Sequence, residues 1–215
     1  MLEGSESSVG FLRSSKARNA ETAKAFIVAA FFVAAGVASF ISIFALAVVA
    51  INAALMFAYE AALKARGASG NLVISYLVGS LFFFAGVSVY TSSWDPLIRT
   101  GILAALAFVT TLGREITKDI EDLRGDVDRR TLPRRIGASR AGTLAAIALV
   151  VGVGLSFLPL YYGVLLLGYA VLVVPADGMF IYAALHSAAN PARSQRVTKY
   201  GMVVALAAFL AGAFR

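Results

Sequence analysis

Seven long apolar runs are the feature that most constrains this chain. Most of them approach the ~20 residues that an α-helix needs to cross the ~30 Å hydrocarbon core of a bilayer. Charged residues make up only 14% of the 215 residues, against about 25% in soluble domains. The sequence therefore predicts an all-α, multi-pass transmembrane helical bundle with seven spans: Lys24–Ser39, Ile41–Leu63, Asn71–Tyr90, Leu97–Leu112, Ala141–Leu158, Tyr161–Leu185 and Val197–Phe214.

The first two runs are continuous in the sequence and require a break between them. A single helix of about forty residues would be about 60 Å long at 1.5 Å per residue. We therefore expect a break near residues 39–42, which separates two spans. The alternative is one span followed by a buried re-entrant segment.

The basic residues fall almost entirely in alternate connections between the spans. All but Arg99 and Arg215 of the 19 lysines and arginines lie on one side, which the positive-inside rule places in the cytoplasm. This pattern predicts a cell-membrane protein with a polar cytoplasmic segment over residues 1–23 and a transmembrane domain over residues 24–215. The N-terminus would be cytoplasmic and the C-terminus outside. Membrane orientation accounts for the net charge of +7, so we expect no nucleic-acid partner.

Half of the 12 carboxylates lie in one stretch that follows the fourth span. If that span continues as a helix, Glu115, Asp119, Asp122 and Asp126 have 4-3-4 spacing and share one helical face. Like charges at such spacing repel each other unless a cation is bound between them. Mg²⁺ prefers carboxylates, water and substrate phosphate oxygens, so the stripe indicates a diphosphate site.

The neighbouring basic residues leave two interpretations open. Arg114 and Lys118 alternate with the acids and could bind phosphate oxygens. Alternatively, the segment is a solvated amphipathic loop whose acids pair with Arg124, Arg129 and Arg130.

Three segments in order along the chain resemble the UbiA superfamily of intramembrane prenyltransferases, and most closely its digeranylgeranylglyceryl phosphate synthases. The run from Glu115 through Lys118-Asp119-Ile120-Glu121-Asp122 to Asp126, followed by Thr131-Leu132-Pro133, resembles the second aspartate-rich motif of that family. The other two segments are Leu63-Lys64 with Gly70–Val73, and Ser194–Arg196 with Lys199–Met202.

The resemblance implies a helical bundle, usually of nine spans around a central cavity. Members transfer a prenyl group from a polyprenyl diphosphate to an acceptor, here a lipid such as geranylgeranylglyceryl phosphate, with Mg²⁺ as cofactor. It makes Glu115, Asp119, Asp122 and Asp126 metal ligands. It also makes Lys118 and Asp119 catalytic residues.

The same resemblance implies which residues bind the diphosphate and which line the cavity. Arg114, Lys118 and Lys64 would bind the diphosphate. Tyr59 and Asn71 would line the cavity or contact the acceptor. An interfacial belt position is the alternative for Tyr59, and a bond to a neighbouring helix is the alternative for Asn71.

The sequence departs from the family pattern at its beginning. The first aspartate-rich motif, of the N-D-x-x-D type, does not occur before residue 71. Aligned on the second motif, the sequence begins where the third helix of the family begins, so seven of nine spans are expected. A start further upstream, a degenerate gene or a partner that supplies the first two helices would each account for this.

Asp177 is the one carboxylate predicted to lie inside the membrane, in the sixth span. Intramembrane carboxylates are costly and are usually functional or paired. We expect Asp177 to face the cavity or the acceptor, with a structural hydrogen bond as the alternative.

A non-enzymatic membrane protein, either a transporter-like bundle or an inactive relative of the prenyltransferases, is the competing interpretation. Transporters place ionisable residues near the bilayer midplane and contain internal repeats. This sequence has no clear repeat, and its acids cluster at the cytoplasmic end. The pattern argues against transport but leaves an inactive relative open.

Overall fold

The computed structural model describes residues 3–63, 66–125 and 130–213. Of these residues, none lies in a β-strand. The principal helices are α1 (Glu3–Ile41), α2 (Ile43–Ala58), α3 (Ala68–Ser88), α4 (Asp95–Glu121), α5 (Leu132–Ile136), α6 (Ala138–Leu155), α7 (Leu158–Tyr161), α8 (Leu167–His186) and α9 (Pro191–Ala213). A π-helical turn follows α2, and a 3-10 turn follows α4.

The prediction of seven spans is confirmed. In the part of the chain that the structure describes, seven segments are long and apolar enough to cross a membrane: Lys24–Ile41, Ile43–Leu63, Ala68–Ser88, Asp95–Glu121, Ala138–Tyr161, Leu167–His186 and Pro191–Ala213. The fourth is longer than the apolar run predicted for it, because the helix continues past Leu112 to Glu121. Glu115 and Asp119 therefore lie on a membrane helix rather than in a loop.

The expected break in the first forty apolar residues falls at Ser42, between α1 and α2. The Ser42 hydroxyl accepts a hydrogen bond from the Ala45 backbone N–H at 3.0 Å. A serine side chain in this position satisfies one of the free N–H groups at a helix start. The sequence thus supplies its own start signal for the second span.

The chain forms two compact units, one with the described residues up to Ala53 and one with those from Ala54 onward. In the second unit, α4 is the central helix and packs against α3, α6 and α9, while α8 packs against α6 and α9. Hydrophobic clusters fill these interfaces, the largest around Leu149, Phe180 and Ala184. The site described below lies entirely in this second unit.

Small residues let the helix backbones approach each other closely. A Cβ atom on Gly79 of α3 would lie 2.8 Å from the Ala104 carbonyl oxygen, and one on Gly168 of α8 would lie 2.6 Å from that of Ala211. Lipid chains are as apolar as leucine, so helices associate in membranes through such close packing rather than through hydrophobic burial. The α3–α4 and α8–α9 pairs pack closely in this way at Gly79 and Gly168.

Two contacts identify the opposite ends of the bundle. Asn71 near the start of α3 bonds Asp119 near the end of α4. At the other end of α4, Arg99 donates a hydrogen bond to the Gly163 carbonyl oxygen at 3.2 Å. The acidic end and the Arg99 end therefore lie about a helix length apart, as the alternating charge pattern predicts.

Candidate active site

A cavity of about 410 Å³ lies in the middle of the second unit, lined by α3, α4, α6, α8 and α9. Apolar and aromatic side chains from these helices make up most of its wall. The polar members are Thr110, Thr111, Ser156, Tyr169 and Asp177. A cavity with this lining suits a long hydrocarbon chain.

One face of α4 leads from this cavity to the charged end of the bundle. Ala107 and Thr111 line the cavity, and Arg114 and Lys118 follow on the same helix with 4-3-4 spacing. Residues so spaced share one helical face. Arg114 and Lys118 therefore lie on the helix face that continues from the cavity, so the mouth of the cavity at the acidic end carries two cationic groups.

Glu115 is engaged by both of these cations. The Arg114 guanidinium lies 2.6 Å from Glu115 Oε1, and the Lys118 ammonium lies 3.9 Å from Oε2. The Glu115 side chain is only 12% exposed, whereas that of Lys118 is 46% exposed. Glu115 thus positions two cations and leaves the lysine accessible at the mouth.

Asp119 is held by a residue from another helix. Asn71 Nδ2 donates a hydrogen bond to Asp119 Oδ2 at 2.8 Å, and Asn71 is itself buried. Among the described residues, no further hydrogen bond to Asp119 is formed, so Oδ1 has no protein partner. Asp119 also lies within electrostatic range of Lys118 and Asp122.

The backbone of the connection before α3 approaches the segment after the acidic motif. Gly67 has φ of 62°, a left-handed conformation that favours glycine. A Cβ atom there would lie 2.7 Å from the Arg130 carbonyl oxygen. Glycine at this position lets these two connections meet at the acidic end of the bundle.

The predicted metal ligands fit Mg²⁺ in part. Across the described ranges, no group of three or more acidic or histidine side chains is arranged to hold a metal ion. Mg²⁺ usually takes only one or two protein carboxylates and completes its shell with water and substrate phosphate. Asp119, with its unpartnered Oδ1, and Asp122, in the next turn, fit that pattern. Glu115 is already occupied by its two cations.

Two predicted residues, Lys64 and Asp126, lie outside the described residues. Tyr59 lies in the π-helical turn after α2, and the Cβ position of Gly70 is 3.5 Å from its ring. Neither Tyr59 nor Asn71 is among the residues that line the apolar cavity. Their roles toward the substrate remain predictions.

Asp177 lines the cavity and also makes a structural hydrogen bond. The Ser156 hydroxyl donates to Asp177 Oδ2 at 2.7 Å, and the Ser156 carbonyl accepts a 2.8 Å bond from the buried Tyr169 hydroxyl. Asp177 therefore fits both interpretations, because it faces the cavity and also accepts a structural hydrogen bond. Ser156 and Tyr169 were not predicted, because nothing in their sequence spacing indicates that they converge.

The comparison with known protein families supplies the observation that decides the class. Residues 14–212 match the model of the UbiA prenyltransferase family. The chain belongs to the UbiA prenyltransferase family. The resemblance inferred from the acidic motif is thereby confirmed.

Individual relatives agree with this assignment. The digeranylgeranylglyceryl phosphate synthase of Halobacterium salinarum is 38% identical over 192 residues, which cover 88% of this chain and 68% of the relative. That of Methanopyrus kandleri is 38% identical over 201 residues, covering 88% and 70% respectively. A solved structure of a digeranylgeranylglyceryl phosphate synthase matches with a TM-score of 0.75 at 32% identity, over 89% of this chain and 69% of that one.

The Asn71–Asp119 contact can be tested by a double-mutant cycle in this UbiA-family protein. We expect Asn71→Ala and Asp119→Ala to show a coupling energy of about 1–2 kcal/mol, because a partly buried hydrogen bond joins the two side chains. The free energy of unfolding in detergent measures it. Asn71→Ala combined with Asp122→Ala is the control. Equal coupling in both cycles would contradict a specific bond.

Proposed function

We propose that this chain transfers a prenyl group from a polyprenyl diphosphate to a lipid acceptor. The observation that carries the proposal is the α4 face on which Arg114 and Lys118 continue the lining of an apolar cavity of about 410 Å³. A prenyl diphosphate has the matching chemistry, with a long hydrocarbon chain and a strongly anionic head. The cavity would take the chain and the cations would take the head.

The reaction breaks the bond between the first prenyl carbon and the diphosphate oxygen. An acceptor oxygen then forms a bond to that carbon and loses its proton, while the diphosphate departs with the electron pair. Arg114 and Lys118 would stabilise the negative charge that develops on the leaving group. The apolar wall would keep water from the carbocation-like fragment until the acceptor attacks.

Asp119 and Asp122 are the described residues that would hold Mg²⁺, and Asp126 and Glu115 complete the set that the family resemblance implies. A bound Mg²⁺ supplies Lewis-acid neutralisation of the diphosphate oxygens. Asn71 would fix the orientation of Asp119 through its hydrogen bond. Residues that orient metal ligands in this way affect metal affinity even without contacting the metal.

The relatives suggest the substrates. Their name, digeranylgeranylglyceryl phosphate synthase, describes a product with two geranylgeranyl groups on one glyceryl phosphate. The corresponding acceptor is a glyceryl phosphate that already carries one geranylgeranyl ether and has a free hydroxyl. We infer that a geranylgeranyl group is transferred to this lipid in ether-lipid synthesis.

Transfer of radiolabelled geranylgeranyl diphosphate in membranes containing this chain tests the proposal. We expect Asp122→Ala and Asp126→Ala to abolish Mg²⁺-dependent transfer. Lys118→Ala should lower the rate by about 10²-fold or more, because a charge that stabilises the leaving group is lost.

Asp95→Asn is the matched control for these variants. Asp95 lies at the opposite end of the same helix and pairs with Arg99 at 2.6 Å, so its loss should leave transfer unchanged. Unchanged transfer by the Asp122→Ala and Asp126→Ala variants would contradict the site assignment. If the unmodified protein transfers no geranylgeranyl group from the diphosphate to the lipid acceptor, the proposed function is wrong.

The orientation in the membrane is part of the same proposal, because it sets the side on which the substrates meet. The charge pattern places the acidic end in the cytoplasm. The chain has no cysteine, so single cysteines can report accessibility to a membrane-impermeant maleimide. We expect Ser92→Cys to react in intact cells and Ser139→Cys only after permeabilisation. The reverse pattern would invert the topology.

A further inference from the structure

A second cavity, of about 420 Å³, lies between the end of α4 and the first turns of α9. Its wall differs from that of the apolar cavity of similar volume because most of its side chains are polar or charged. The residues that matter here are Glu121, Gln195, Arg196, Lys199, Tyr200 and Val203. We call it the α4–α9 pocket. Glu121 belongs to the acidic motif, and Gln195, Arg196 and Lys199 belong to the third family-like segment. Neither the sequence analysis nor the proposed diphosphate site gives these side chains a ligand.

The α4–α9 pocket adjoins the mouth of the apolar cavity. Glu121 lies one turn beyond Lys118 on the same side of α4. On α9, Gln195 and Lys199 continue with 4-3-4 spacing into Met202 and Leu206, which line the apolar cavity. On both helices, therefore, one face runs from the apolar cavity to this pocket.

The two cations of the pocket are available to a ligand. Arg196 and Lys199 are exposed and one turn apart, and among the described residues neither forms an ion pair. Arg193, in the same helix, instead lies over the Tyr182 ring with its guanidinium carbon 5.3 Å from the ring centroid. Membrane orientation explains basic residues in this connection, but it does not require two of them to share a concave pocket.

We infer that the α4–α9 pocket binds the phosphate of the lipid acceptor, an inference that rests on the proposed function. Basic pockets between membrane helices on the cytoplasmic side recognise anionic lipid headgroups. An arginine fork beside a lysine matches a phosphomonoester. The exposed apolar faces of Tyr200 and Val203 continue from the pocket toward the bilayer, where the acceptor's hydrocarbon chain resides.

Glu121 makes the α4 side of the pocket acidic, whereas the α9 side is basic, and this difference would orient a bound ligand. A carboxylate repels a phosphate but accepts a hydrogen bond from a hydroxyl. A glyceryl phosphate carries both groups, so the phosphate would lie toward Arg196 and Lys199 and the free hydroxyl toward α4. The hydroxyl is the group that must reach the prenyl carbon at the mouth. The donor diphosphate, in contrast, would remain at Arg114 and Lys118.

The first test is binding by the purified protein in detergent, which needs no turnover. Native mass spectrometry would compare geranylgeranylglyceryl phosphate with geranylgeranylglycerol, which lacks the phosphate. We expect Arg196→Ala/Lys199→Ala to weaken binding of the phosphorylated lipid about tenfold or more, since charge-assisted hydrogen bonds are lost. Binding of the alcohol should not change. Arg193→Ala, with its cation held over Tyr182, is the matched control.

Two outcomes of this binding test would overturn the inference. One is undiminished binding of the phosphorylated lipid by the double variant. The other is competition by inorganic phosphate at the concentration of the lipid, which would mean that the pocket binds free phosphate rather than a lipid headgroup. Unchanged binding of geranylgeranylglycerol by the double variant would show that this variant is folded. Lys199→Arg, which keeps the charge, should retain binding of the phosphorylated lipid.

The second test separates acceptor from donor in the transfer assay. We expect the double variant to raise KM for the acceptor about tenfold while KM for geranylgeranyl diphosphate stays the same. A raised donor KM with an unchanged acceptor KM would overturn the inference and leave the proposed function intact. If the unmodified protein transfers no prenyl group, the proposed function fails, and the binding comparison still decides whether the pocket recognises the phosphate.

Discussion

The structure depends on one constraint, which is that a membrane-spanning chain must satisfy its backbone hydrogen bonds within its own helices. Chemistry can then be placed only on helix faces and at helix ends. Helix α4 meets this constraint by running without interruption from Asp95 to Glu121. Its apolar half lines a cavity, and its last turns carry the cations and carboxylates. The position of the charged site relative to the cavity thus follows from the geometry of a single helix.

That geometry also explains which parts could be predicted from the sequence. The seven spans, the break at Ser42 and the helical register of Glu115 and Asp119 are local patterns, with a period of 3.6 residues or a length set by the bilayer. The second aspartate-rich motif indicated the family because it is likewise continuous in the sequence. Each of these features is determined within one helix and its ends.

The features that were not predicted involve contacts between helices. The Asn71–Asp119 bond joins residues 48 positions apart, and the Tyr169–Ser156 bond fixes the end of α6 against α8. The engagement of Glu115 by Arg114 and Lys118 depends on side-chain conformations that spacing alone does not determine. Such contacts follow from how closely helices pack, which here depends on small residues such as Gly79 and Gly168.

The central claim is that the prenyl chain occupies the apolar cavity below Arg114 and Lys118 on α4. The most direct test is photo-crosslinking with a geranylgeranyl diphosphate analogue whose terminal isoprene unit carries a diazirine, followed by peptide mapping. The account predicts adducts on cavity side chains such as Phe82, Val173 and Phe209, suppressed by excess geranylgeranyl diphosphate. Adducts confined to exposed side chains such as Phe157 and Leu185, or unaffected by the competitor, would contradict it.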